Sequence, residues 1–261
     1  MLPRTLLRPA IKVYSFFPSS VQRSVKRWYY SDVYADFVAE CFDSESEFEE
    51  CALEFDETDA VAIRSEALSR GTDGETLGDI SLEMARGYYA LVRKYKPETV
   101  IETGVGHGFS TLCLLFALDA NENGTLYSID YPHYSDKSIE EFKQETYENF
   151  GGAATIPSDK EPGWIIPDHL RSQWELRIGK SQRELPELAA ELDEFDMFVR
   201  DSEHSLPCMM MEFEIAWERL TEDGLIVADD VHRNRAFDSF SSLRGARAGL
   251  ITPTSGYMWR R

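Results

Sequence analysis

Lysine is scarce in this chain. Only 8 of its 27 basic residues are lysine, against 47 acidic residues, and the formal net charge is −20 over 261 residues. A field of that sign repels phosphates and disfavours nucleic acid as a partner. It fits either a salt-adapted surface kept soluble by self-repulsion or an ordinary acidic mesophile protein. Cysteine is sparse too. Cys41, Cys51, Cys113 and Cys208 are scattered, with no C-x-x-C, so neither zinc spacing nor a redox pair is indicated. Cys113 and Cys208 stand in apolar helical patterns and are expected as core thiols in a reducing, cytoplasmic compartment. No uninterrupted apolar run approaches the roughly 18 residues of a membrane span. No small-residue cleavage site follows an apolar stretch, which speaks against a secretory signal.

Acid is missing from the first 31 residues, which carry Arg4, Arg8, Lys12, Arg23, Lys26 and Arg27 among aromatic and aliphatic side chains. Such a segment suits either a peripheral contact with a membrane surface or an arm packed on the acidic domain or on a second copy in a homo-oligomer. The packing arm is favoured. Residues 32–70 then crowd acids around Phe37, Val38, Cys41 and Phe42, a pattern of helices with solvated charged faces. Gly71-Thr72-Asp73-Gly74 reads as a turn and boundary. It divides an arm and helical extension (residues 1–75) from a second domain (residues 76–261).

What is present in that domain centres on Glu102-Thr103-Gly104-Val105-Gly106-His107-Gly108. The apolar run Thr99-Val100-Ile101 before it reads as a buried strand, and Ser110 to Leu118 after it as a helix. Strand, glycine turn and helix begin a βαβ unit. Glycines let backbone approach a ligand closely, and the helix N-terminus favours an anionic group. The dinucleotide fingerprint G-x-G-x-x-G/A would need a small residue where Phe109 stands.

Downstream, Leu126 to Asp130 reads as a second strand ending in a carboxylate placed to hydrogen-bond a ribose diol. Residues 131–173 are too long for a plain connection and are expected to form a lid or substrate wall, with His133 and His169 as loop hydrogen-bonders. Further strands are expected at Trp174–Ile178, Phe195–Val199 and Gly224–Ala228. Helices are expected at Leu77–Tyr95, Leu185–Leu192 and Leu206–Leu220, and weak antiparallel closing strands in the tail. The alternation argues an α/β, doubly wound, mostly parallel sheet. Glu102, Asp130, Gly179, Asp201 and Asp229-Asp230 then all fall at strand carboxyl ends, where such folds bind ligands.

E-x-G-x-G-x-G, with the acid Glu102 two positions before Gly104, resembles the pattern of class I S-adenosylmethionine (SAM) dependent methyltransferases. From about Leu77 to Phe240 the chain resembles their metal-dependent O-methyltransferase branch, closest to enzymes of sugars and of macrolide- or cephalosporin-type products. The resemblance implies a Rossmann-like sheet of seven strands. It implies a SAM site from Glu102, Gly104, Gly106, Gly108, Ser110, Asp130, Gly179, Ser181, Gln182 and Asp201. Ser110 is similar to the serine that meets the SAM carboxylate in catechol O-methyltransferase, and Gly179-Lys180-Ser181-Gln182 is similar to that enzyme's G-A-S-Q. Asp201, Asp229 and Asp230 resemble the group's magnesium site, which would take Mg²⁺ or Mn²⁺. His204 stands where catechol O-methyltransferase has its catalytic lysine, so His204 and Asp201 are the catalytic candidates.

The implied activity is methyl transfer to a hydroxyl of a small-molecule or glycan acceptor, a sugar or glycoconjugate. The alternatives are an NAD(P)-dependent oxidoreductase, against which Phe109 counts, and a non-catalytic nucleoside-binding protein.

Overall fold

A computed structural model describes residues 31–70, 80–138, 142 and 154–260. Most of the basic arm, the expected 71–74 turn with the 75/76 boundary, and the middle of the 131–173 insertion lie outside the described residues.

The centre is a seven-stranded sheet in the order β5-β2-β1-β6-β7-β9-β8. In chain order the strands are β1 (Thr99–Thr103), β2 (Thr125–Asp130), β5 (Trp174–Ile178), β6 (Phe195–Arg200), β7 (Leu220–Ala228), β8 (Arg247–Leu250) and β9 (Gly256–Trp259). Only β9 runs antiparallel, against both β7 and β8. Two-residue strands β3 (His133–Tyr134) and β4 (Thr155–Ile156) pair separately within the insertion. The chain starts at β1, builds outward through β2 and β5, then returns to lay β6 on the other side of β1. That reversal is the switch point where a crevice opens outside the strand carboxyl ends.

Period-two burial divides the core into two layers. Val100, Met197, Val199, Leu225 and Val227 face one layer, and Ile101, Phe198, Ile226 and Ala228 the other. The first layer is covered by α1 (residues 31–41), α2 (Glu45–Glu57), α3 (Ala60–Arg70), α4 (Leu82–Tyr95) and α5 (Phe109–Asn121). The second is covered by α6 (Ser181–Leu192), α7 (Leu206–Arg219) and α8 (Ala236–Arg244). Phe37 and Phe55 of the N-terminal helices share a continuous core with Tyr88 and Leu112.

Helix α4 begins after Ser81, which caps it by accepting from Met84 N at 3.2 Å; the expected start at Leu77 lies outside the described residues. Its apolar stripe of Met84, Tyr88 and Leu91 is buried, as is Ile80 just ahead of it. The acids of α2 are mostly exposed, as expected of a solvated face, though Glu47 and Glu54 are half-buried. Glu47, Glu54 and Asp56 pair with Lys94, Arg93 and Arg86 of α4 at 2.7, 2.9 and 2.9 Å. Such half-exposed pairs orient the helices more than they stabilise them. Strand β7 begins four residues before the expected Gly224. Leu220 already pairs with Phe195, and a register shift follows before Leu225 pairs with Met197. The tail strands are antiparallel as expected, but Ile251 falls outside them as a buried loop residue.

Candidate active site

The loop after β1 rises at the switch point. Gly104 has φ +89°, and a Cβ there would stand 2.0 Å from the Asp201 carbonyl oxygen. A side chain is excluded both by conformation and by the neighbouring strand end. Ladder bonds continue past the strands. Asp201 N donates to Thr103 O at 2.7 Å, Gly104 N to Ile129 O at 2.9 Å, Gly179 N to Asp130 O at 2.8 Å and Asp229 N to Arg200 O at 2.9 Å. These bonds hold the four acid-bearing rim segments in one fixed row. Helix α5 follows with Gly108 as its N-cap and no side-chain cap, so its first amides carry the dipole's positive end toward the opening.

A cavity of about 370 Å³ occupies this rim, within the usual range for small-molecule sites. Gly104, Gly106, Gly108, Ser110, Asp130, Gly179, Ser181, Gln182, Asp201, His204, Asp229 and Asp230 all line it. Glu102 does not. Its carboxylate is buried beneath the loop, where Oε1 accepts from Ser110 Oγ at 2.8 Å. Oε2 accepts from Thr111 Oγ1 at 2.8 Å and Ser128 Oγ at 2.7 Å. Burial nonetheless pushes Glu102 up to about 7, against the pull of those hydroxyls. An acid two residues before the first glycine serves here to tie β1, β2 and α5 together. The Ser110 hydroxyl is turned to it.

Asp130 Oδ2 accepts from Gly106 N at 3.1 Å, and the amides of Val105 and Tyr131 also stabilise its charge. Burial outweighs them and lifts its pKa to about 6. Across the rim, Gln182 Nε2 donates to Glu203 Oε2 at 3.1 Å and to Cys208 Sγ at 3.3 Å. Cys208 and Cys113 are buried thiols, and all four cysteines are free.

The three aspartates form a strained set. Burial, then the charge of Asp229, raises Asp201 well above the carboxylate range. Burial and the charge of Asp230 push Asp229 up to about 7. Asp229 Oδ1 is buried with no hydrogen-bond partner among the described residues. Asp230 is engaged, with Oδ2 2.5 Å from Arg233 Nε and 3.3 Å from His204 Nε2. Oxygen donors, crowded charge and an orphaned oxygen fit a hard divalent cation in their chemistry. Among the described residues, however, no three ligand-type side chains converge at metal-holding spacing.

His204 is held from both sides. Arg200 Nη1 lies 2.8 Å from its Nδ1. A guanidinium only donates, so Nδ1 accepts and the ring proton sits on Nε2, toward Asp230. Burial and the Arg200 charge drive the imidazole pKa far below its ordinary value. With its lone pair taken up, His204 is arranged as a neutral donor to Asp230 and not as a base. Arg200 is itself fully buried and paired with the fully buried Glu212 at 2.9 Å, whose Oε1 accepts from Ser202 Oγ at 2.6 Å.

Arg200, Glu212, Glu203, Arg233 and His107 also belong to the site or its supports, and no sequence motif singles them out. Arg200 looks like an ordinary strand-end cation, and its partner lies 12 residues on in α7. A helix-interior acid facing an apolar stripe was the one available hint. The insertion forms a wall as expected, through Tyr131, His133, Phe142, Ala154 and Ile156. His133 bonds within its loop, to Lys137 O at 2.9 Å. His169 makes a ring contact with Phe116.

Residues 101–231 match a family described as a methyltransferase domain. No curated protein gives a significant match. Among solved structures, the chain is similar to the O-methyltransferase from Bacillus cereus in complex with S-adenosylhomocysteine (SAH). That likeness has a TM-score of 0.51 at 16% identity, over 90% of this chain and 99% of that one. It is similar to the SAH-bound Podospora anserina methyltransferase PaMTH1, with a TM-score of 0.52 at 16% identity, over 84% and 97%. It is also similar to the O-methyltransferase NovP, with a TM-score of 0.52 at 14% identity, over 69% and 81%. At these identities the likeness is one of fold.

Proposed function

The chain belongs to the methyltransferase-domain family, and from that premise we propose that it moves the methyl group of SAM to a hydroxyl oxygen of a sugar or glycoconjugate with help from a divalent cation. One observation carries the reading: a single cavity joins the glycine loop and Asp130 to the crowded carboxylates Asp201, Asp229 and Asp230. The first group suits a nucleoside cofactor and the second a hydroxyl that must lose a proton.

Bound there, SAM supplies a methyl already activated on a sulfonium. The acceptor oxygen forms the new C–O bond as the C–S bond breaks, and sulfur keeps the electron pair. The protein therefore contributes alignment and proton removal. Asp130 orients the ribose, and the amides at the start of α5 receive the cofactor carboxylate. Asp201, Asp229 and Asp230 would hold the cation, which lowers the pKa of a hydroxyl brought to it. A cation held there would also relieve the repulsion that raises those carboxylates, so the hydroxyl, once acidified, would pass its proton to Asp201 or to solvent. His204 supports Asp230 through its Nε2 proton. The basic arm is read as packing on protein, with a membrane surface as the competing partner.

Isothermal titration with SAH and NAD, followed by incubation with labelled SAM and glycoside acceptors, tests the reading. SAH binding with label on a hydroxyl, lost in EDTA and restored by Mg²⁺ or Mn²⁺, is expected. Binding of NAD alone would overturn the cofactor. SAH binding without transfer to any hydroxyl would leave a nucleoside-binding protein, and full activity in EDTA would remove the cation.

A further inference from the structure

The glycine loop is gripped from above by the second half of the insertion. Gly163 N donates to Gly106 O at 3.0 Å. A Cβ on Gly108 would stand 2.7 Å from Gly163 Cα, and one on Gly106 would stand 3.0 Å from Ala154 Cβ. Between these two glycines lies His107, buried to 4% exposure. Trp164 Nε1 lies 2.8 Å from its Nδ1, and its Nε2 lies 3.0 Å from the Thr155 carbonyl. Indole N–H only donates and a carbonyl only accepts, so the tautomer is settled: Nδ1 accepts and Nε2 carries the proton.

The chain of bonds runs on. Thr155 Oγ1 lies 3.3 Å from His133 Nδ1, and His133 Nε2 lies 2.9 Å from Lys137 O. By the same logic Nε2 of His133 donates, and its Nδ1 accepts from the threonine hydroxyl. Two buried imidazoles thus join three separate pieces of the insertion to the glycine loop, each with one donor and one acceptor satisfied. On its inner side the joined segment presents Ala154, Ile156 and His133 to the cavity. Phe142, stacked on Tyr131 with ring centroids 6.0 Å apart, continues the same wall.

We propose that His107 is a positioning residue for the cofactor: through Trp164 and Thr155 it fixes the glycine loop against the insertion and so sets the loop's affinity for SAM. The proposal rests on SAM occupying the glycine-loop cavity. A glycine loop is intrinsically permissive, and every conformation it samples outside the binding one reduces apparent affinity. His107 lines the same cavity, and it removes that freedom through its bonds to Trp164 and Thr155. Loss of one partner leaves a buried polar atom unpaired, so the two sides of the His107–Trp164 bond act as a unit.

The test is titration calorimetry with SAH on the full chain, with melting temperature recorded for each variant. His107→Ala is expected to weaken SAH binding at least tenfold, and Trp164→Phe, which keeps an aromatic ring and loses the indole N–H, at least threefold. The double variant is expected to bind within twofold of His107→Ala alone. A lowered melting temperature with SAH affinity within twofold of the parent in both single variants would overturn the proposal, because the bond would then serve only stability. Multiplicative losses in the double variant would also overturn it. If His107→Ala fails to fold, Trp164→Phe decides by the same threefold criterion. A parent that binds no SAH refutes the cofactor reading first, and this role with it.

Discussion

Glu102→Gln isolates the cost of keeping a carboxylate under the glycine loop. Glu102 is fully buried, and its ordinary pKa of 4.5 rises to about 7. Below the unfolded value both states are protonated, and Glu102 does not disturb folding. Between 4.5 and about 7 the unfolded chain releases the proton while the folded one retains it. Stability is therefore lost as pH rises through that window. A rise of that size corresponds to about 3 kcal/mol. Glutamine keeps the shape and does not ionise. It also disturbs Ser128, which donates to Glu102 and accepts from Trp174 Nε1 at 2.9 Å, but that cost is independent of pH. The difference in unfolding free energy between variant and parent thus carries the ionisation alone. The isoelectric point near 4.6 limits solubility at the acid end. From about pH 5.5 to about pH 7.5 the difference should move by about 2 kcal/mol in favour of glutamine. Urea unfolding of both proteins at matched pH measures it. A difference constant to within about 0.5 kcal/mol over that range would refute the argument.

Asp130→Ala should weaken SAH binding at least about tenfold, since charge-assisted bonds to ribose hydroxyls contribute about 1.5–3 kcal/mol each. Calorimetry that finds unchanged affinity would remove the ribose role. His204→Ala should lower kcat by less than about tenfold, because a donor to Asp230 is lost but no base; a loss of about a thousandfold in steady-state turnover would return the base role to the imidazole. Gly104→Ala should yield little folded protein by circular dichroism, because its Cβ meets the Asp201 carbonyl at 2.0 Å. A well-folded variant would mean that β1 and β6 separate more easily than their ladder suggests.

The sheet was largely legible because its central strands are short apolar runs between turn signals. Val100-Ile101 and Phe195 to Val199 could hardly be read otherwise, and the acids at their ends marked the rim. The same local rules could not separate two uses of a strand-end acid. Glu102 and Asp130 look alike in sequence, yet one is sealed under three hydroxyls and the other lines the cavity. His107 was visible as a letter in the glycine loop, but its partner Trp164 is 57 residues away and no periodicity connects them. The early start of β7 was hidden for a related reason. Leu220 to Asp223 carry no strand pattern, and tertiary partners recruit them into the sheet: Phe195 beside Leu220, Asp196 accepting from Thr221 Oγ1 at 3.1 Å and Arg260 O accepting from Asp223 N at 2.9 Å.

The Arg200–Glu212 pair has a bearing on any attempt to make this protein hardier. Both side chains are wholly buried, and a hydrophobic pair of similar volume in such a place commonly leaves a protein as stable or more so. A search for thermostabilising substitutions would therefore arrive early at Arg200 and Glu212 and favour aliphatic replacements. Those replacements would take away the donor that fixes the His204 ring and the cation beneath Asp201 and Asp229. Heat resistance and turnover would part company at this one pair, so selection on melting temperature alone would enrich well-folded protein with a loosened, slower site.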